Sequence, residues 1–107
     1  MGEGADRSSD PTVRSGVDSA GIVLWRTSES SVEILLAHPG GPFWARKTEH
    51  AWAVPKGEFA PDEETPADAA RREVEEELGI RIGGELTPLP SFRAGKKRLH
   101  LFARQLG

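Results

Sequence analysis

The sequence predicts an α/β domain in which strands come first, one amphipathic helix follows and a further strand closes the order. Three observations carry that expectation. Two short β-prone runs flank a polar turn, a helical segment is marked at both ends by capping residues, and an apolar run near the C-terminal end follows a glycine turn. At 107 residues the chain has room for one core and not for two. With 36% apolar content, that core must come from a few dense segments.

Residues 1–16 are rich in Gly, Ser, Asp and Arg and nearly free of apolar side chains. Such a composition cannot offset the entropy of ordering, so a flexible N-terminal tail is expected, with the domain at 17–107. Ala20, Ile22, Val23, Leu24 and Trp25 form the first β-prone run, Thr27 to Ser31 supply turn residues, and Val32 to Ala37 form the second. An antiparallel hairpin is the simplest arrangement. His38 to Pro42 break the pattern, and the aromatic and basic stretch Phe43 to Lys47 extends a long connecting loop. Trp52 to Val54 read as a short strand stopped by Pro55, with Lys56, Gly57 and Glu58 opening the next loop.

A helix is predicted over Pro66 to Leu78: Thr65 is a good N-cap, Pro66 suits the first helical position, and Gly79 stands just past the end. At roughly 100° per residue, Ala67, Ala70, Val74 and Leu78 share one narrow face suited to packing on a sheet. Ile80 to Gly84 lead into a segment punctuated by prolines, and Arg98 to Ala103 read as the last strand after a turn at Ala94 and Gly95.

Composition excludes several classes of function. The longest apolar stretch, Gly21 to Trp25, falls far short of the roughly 20 residues of a membrane helix. The charged N-terminus does not resemble a secretory signal, so a cytoplasmic location is the default expectation. Absence of cysteine removes disulfides, thiolate metal sites and cysteine nucleophiles together. A net charge of −3 gives no support to nucleic acid as a partner, whereas a small phosphorylated ligand stays compatible if a cation inverts the local sign.

Glu73, Glu76 and Glu77 are spaced i, i+3, i+4, so three carboxylates leave one patch of the helix beside its apolar face. They crowd the negative end of the helix dipole, an unfavourable placement worth about 0.3 to 1 kcal/mol each. A hard divalent cation such as Mg²⁺ would resolve the conflict. The other reading is an ordinary solvated face, in which Arg71 with Glu75 and Arg72 with Glu76 form i, i+4 pairs worth about 0.2 to 0.5 kcal/mol each. Both readings are open on the helix alone.

The stretch Gly57 to Ile80, GEFAPDEETPADAARREVEEELGI, closely resembles the Nudix box, with Arg72, Glu73, Val74, Glu76, Glu77, Gly79 and Ile80 all in register. One departure concerns the loop. Counting back from Arg72 selects Glu64, which leaves six residues between it and Gly57 where the family has five, while Glu63 fits the other count; helix register favours Glu64, since a loop tolerates one extra residue. The resemblance implies an α/β/α sandwich with a mixed sheet. It also implies that Glu73, Glu76 and Glu77 ligate Mg²⁺, with Mn²⁺ as the substitute ion, and that Glu64 assists them or pairs with Arg72. Arg72 would hold a box glutamate through a forked contact. Gly57 would lie in the loop that approaches metal and diphosphate, with Lys56 as a phosphate contact or a solvated turn lysine.

Outside the box, Trp52 to Glu58 and His38 to Trp44 resemble a MutT-like subgroup, and similar lead-ins occur in diadenosine tetraphosphate hydrolases of the family. The activity implied is Mg²⁺-dependent hydrolysis of a nucleoside diphosphate linkage, in a nucleoside triphosphate or a dinucleoside polyphosphate. A non-catalytic, nucleotide-sensing module is the alternative. Trp44 or Trp52 would stack a base or else pack in the core. His38, His50 and His100 form no metal-spaced cluster and are read as loop polarity and strand filling. Ser19 and Ser91 lie in no nucleophile elbow. Only one helix is evident where the resemblance implies a second, so one sheet face is expected to expose apolar side chains, in a fragment, a homodimer or a marginal fold.

Overall fold

A computed structural model of the chain describes residues 16–37, 40–46 and 53–106. His38, His50, Trp52 and residues 1–15 of the expected tail lie outside the described residues. Among the described residues, in chain order, are strands β1 (Val17–Ser28), β2 (Ser31–Leu36), β3 (Phe43–Ala45) and β4 (Lys56–Phe59). Helix α1 (Pro66–Leu78) follows, and then come β5 (Thr87–Pro88), β6 (Phe92–Ala94) and β7 (Lys97–Gln105). All strands belong to one mixed sheet in the order β3-β2-β1-β7-β5, with β4 also paired to β1 and β6 to β7. The fold is thus mixed α/β, with one helix against one face of an open sheet.

The first run extends further than its apolar residues suggest. Thr27 and Ser28, expected in a turn, continue β1 and pair with Val32 and Ser31. The turn narrows to Glu29 and Ser30, both with positive φ, 51° and 69°, as a two-residue hairpin turn requires to match strand twist. Register then sorts the side chains. Ala20, Ile22 and Leu24 point to the helix and are fully buried, clustered with Leu35, Phe59, Ala69, Ala70, Val74 and Ile82.

Two segments expected to be loop are strand. Phe43 to Ala45 pair with Ile34 to Leu36, and Lys56 to Phe59 pair antiparallel with Asp18 to Gly21. Conversely, Ala53 and Val54, expected in a strand, have no strand pairing. Pro55 donates no hydrogen bond, yet its carbonyl accepts from the Ile22 amide at 3.3 Å and the Ala53 carbonyl accepts from Ala37 at 2.7 Å. The ladder proper therefore starts one residue after the proline. Gly21 permits the approach, because a Cβ there would stand 2.3 Å from the Pro55 carbonyl oxygen. Which short segment becomes strand was decided by the neighbour available, not by its own β-propensity.

Helix α1 begins and ends where its caps indicate. Thr65 accepts a hydrogen bond from the Asp68 amide at 3.1 Å, and Gly79 adopts φ 71° while its amide bonds to the Glu75 carbonyl. The buried face differs in detail: Ala69, Ala70, Glu73 and Val74 are buried, Leu78 packs at the margin, and Ala67 is only half-buried. Burying Val74 completely stabilises by roughly 1.5 to 3 kcal/mol.

The final hairpin turns at Gly95 and Lys96, one residue later than expected. Strand β7 then runs parallel to β1 over nine residue pairs, from Val17↔Lys97 to Trp25↔Gln105. By this register, Val17, Val32, Phe43, Leu89 and Phe92 fall on the sheet face opposite α1, all substantially exposed. Leu36 and Leu99, paired with Phe43 and Phe92 on the same face, are buried, so among the described residues that face is open only in part.

Candidate active site

The box glutamates emerge where α1 meets β4. Glu73 is buried to 9% exposure because its carboxyl group occupies the space above Gly57: a Cβ at that position would stand 2.1 Å from Glu73 Cδ. Only glycine leaves room for this carboxylate beside the strand. Glu76 and Glu77 lie further round the helix and are more exposed.

Arg72 ties the cluster together. Its Nε and Nη2 donate to the two carboxylate oxygens of Glu64, each at 2.8 Å, the forked geometry of a strong charge-assisted pair. Nη1 donates to Glu73 at 2.9 Å and to Glu76 at 3.3 Å. Nη2 also reaches the Glu58 carbonyl at 3.4 Å. One guanidinium thus joins the helix, the loop before it and β4. Its hydrogen bond holds the Glu64 carboxyl below the usual range, and Glu64 in turn pushes the Arg72 guanidinium further up. Of the two candidates in the loop, Glu64 is the one bonded to Arg72; the Glu63 backbone amide instead closes a turn on Ala60.

Glu77 faces a different set of charges. Burial pushes its carboxyl up, and the neighbouring Glu73 charge adds to the effect, while Lys56 opposes it. Desolvation likewise pushes the Lys56 ammonium down, Glu77 opposes, and the charge of Lys97 lowers it further. Ser19, Val54, Lys56, Gly57, Glu77 and Lys97 line a cleft of about 240 Å³. Lys97 was missed by sequence reasoning. Its only signal there is a short basic run, Lys96 to Arg98, and the β1–β7 pairing is what carries it to this cleft.

Trp44 is not among the residues lining that cleft. The indole packs against the core cluster, and the Arg26 guanidinium covers its face at 4.0 Å. Arg26 in turn donates to Glu33 at 2.8 Å, which Arg46 also meets at 3.3 Å. The hydrogen bond from Arg26 holds the Glu33 carboxyl below the usual range.

Mg²⁺ prefers hard oxygen donors, and Glu73, Glu76 and Glu77 offer nothing else. The donor set fits on a second count: Glu77 ionises against burial and the Glu73 charge, a conflict that a cation relieves. Among the described residues, no three such side chains converge tightly enough to hold an ion. In this conformation Arg72 takes the charge of Glu73 and Glu76. No helix of the described residues is long and apolar enough to cross a membrane.

A sequence model of the NUDIX domain matches residues 17–106. Among solved structures, an Ap4A hydrolase from C. elegans is similar at 27% identity with a TM-score of 0.56, over 85% of this chain and 68% of that one. The NUDIX domain of Shewanella oneidensis NrtR, solved with ADP ribose, superposes with a TM-score of 0.61 at 15% identity, over 91% of this chain and 65% of that one, a likeness of fold alone. This chain therefore spans about two thirds of the length of such neighbours. No protein of curated function was found to match the sequence.

Proposed function

The chain belongs to the Nudix family, and on that premise we propose that it is a divalent-metal-dependent hydrolase of nucleoside diphosphate linkages, with a nucleoside triphosphate or a dinucleoside polyphosphate as substrate. The observation that carries this reading is the helix–strand junction, where Gly57 makes room for the Glu73 carboxylate and Arg72 gathers Glu64, Glu73 and Glu76 around it. The 27% identical Ap4A hydrolase supports placing dinucleoside polyphosphates first among candidate substrates.

In this reading Glu73, Glu76 and Glu77 hold Mg²⁺, or Mn²⁺ in its place. When bound, such an ion polarises phosphoryl oxygens and activates water as a nucleophile. The protein's own groups do the rest. Arg72, itself held by Glu64, keeps the Glu73 carboxylate against β4. Lys56 and Lys97, at the cleft beside Glu77, offset the charge of a diphosphate and orient it. The substrate is a small nucleotide, held without help from nucleic acid or membrane.

The test is release of mononucleotide from Ap4A and the common nucleoside triphosphates with Mg²⁺ present, for wild type and Glu76→Gln. Turnover should fall at least about a hundredfold in the variant, the scale of losing one preorganised electrostatic group. Tight nucleotide binding with no turnover in the wild type would replace this reading with that of a nucleotide-sensing module.

A further inference from the structure

We propose that His100, anchored by Asp18, is a positioning residue that holds β4 at the depth the site requires; this rests on the hydrolase reading above for its functional consequence. Asp18 on β1 is buried to 7% exposure, and its Oδ1 lies 2.9 Å from His100 Nε2 on β7. A carboxylate only accepts, so Nε2 carries the proton and donates it. Arg98 Nη1 stands 3.9 Å from the same oxygen. The imidazole is thereby fixed in orientation. Its ring meets that of Phe59 edge-on, with centroids 5.6 Å apart and planes at 71°.

Phe59 is the last residue of β4 and part of the buried core. Two residues earlier Gly57 lies flush against the Glu73 carboxyl, and between them the Glu58 carbonyl accepts from Arg72. An outward shift of β4 by one ångström would open the Gly57–Glu73 contact and stretch that 3.4 Å bond beyond hydrogen-bonding range. The pair crosses the parallel β1–β7 junction on the helix side of the sheet, a position where an apolar pair would pack at no cost in desolvation. What the polar pair adds is a ring of defined angle, and Phe59 is what that ring meets.

His100→Gln keeps a hydrogen-bond donor for Asp18 and removes the ring. Amide hydrogen exchange of the segment Lys56–Phe59 should rise about tenfold while that of β2 stays unchanged, a local loss of protection. With a substrate the wild type turns over, kcat should fall about tenfold to a hundredfold, the scale of a small misplacement, with KM within about twofold. Unchanged exchange at Lys56–Phe59, or a rise shared by the whole chain with a matching loss of Tm, would overturn the proposal. Should His100→Gln not fold, Asp18→Asn decides, since it keeps the shape and weakens the anchor: selectively faster exchange at β4 supports the positioning role, and unchanged exchange refutes it. If the wild type hydrolyses nothing, the hydrolase reading fails on its own, and the exchange measurement still decides this one.

Discussion

A side chain added at position 57 would collide with the Glu73 carboxyl at 2.1 Å, but that carboxyl is the free end of a flexible chain and can swing aside. Gly57→Ala should therefore cost little stability, about 1 kcal/mol as mild overpacking, while breaking the 2.9 Å contact from Arg72 to Glu73. Activity should fall at least about tenfold as the carboxylate is displaced; a thermal melt and a kcat measured side by side check the contrast. Glu64 gives a pH-dependent prediction. Its folded carboxyl titrates below the ordinary 4.5 because Arg72 bonds to the ionised form. The unfolded chain binds the proton first, so the stabilisation is complete above the unfolded value and is lost as pH falls through the folded one. The gap in Tm between wild type and Glu64→Gln should be present at pH 7 and shrink progressively as pH falls below the ordinary 4.5.

At the scale of elements, the β1–β2 hairpin stands out for its turn. Glu29 and Ser30 both hold positive φ, a region that costs ordinary L-residues roughly 1 kcal/mol each, and neither is the Asn or Gly favoured there. The double substitution Glu29→Asn and Ser30→Gly should raise stability by about 1 kcal/mol, seen as an increase in Tm of about 4 °C or more. The Glu29–Arg46 contact that it removes, 3.6 Å long and largely exposed, contributes little. Helix α1 shows the opposite case. Its two ends agree with their caps, yet its last turn concentrates acid without a basic residue, so local stability was set aside there in favour of the charge cluster.

For the whole molecule, the two sheet faces are unequal. The α1 side is closed by fully buried Ala20, Ile22, Leu24, Ala69, Ala70 and Val74. The opposite side leaves Val32 53% and Phe92 49% exposed, and apolar side chains left open on a sheet face favour association. Val32→Thr with Phe92→Ser should reduce light scattering and concentration-dependent sedimentation, with a Tm within about 4 °C of wild type because both side chains are half in water already. Unaltered scattering would show that the patch is not what associates.

Local chemistry was enough to read the helix, its caps, the first hairpin and the register of Arg72 with Glu73, Glu76 and Glu77, because each depends on residues within one or two turns of one another. The strands β3 and β4 were not legible. Phe43 to Ala45 and Lys56 to Phe59 carry no strong alternation, and they pair because β2 and β1 present free edges to them. Neither the arrival of Lys97 at the cleft that Glu77 also lines nor the union of Asp18 with His100 could be read from spacing, since both depend on the parallel β1–β7 pairing, which joins residues about eighty positions apart. Short-range sterics and hydrogen bonding wrote the first set into the sequence. Burial of one sheet face, which depends on all strands at once, decided the second.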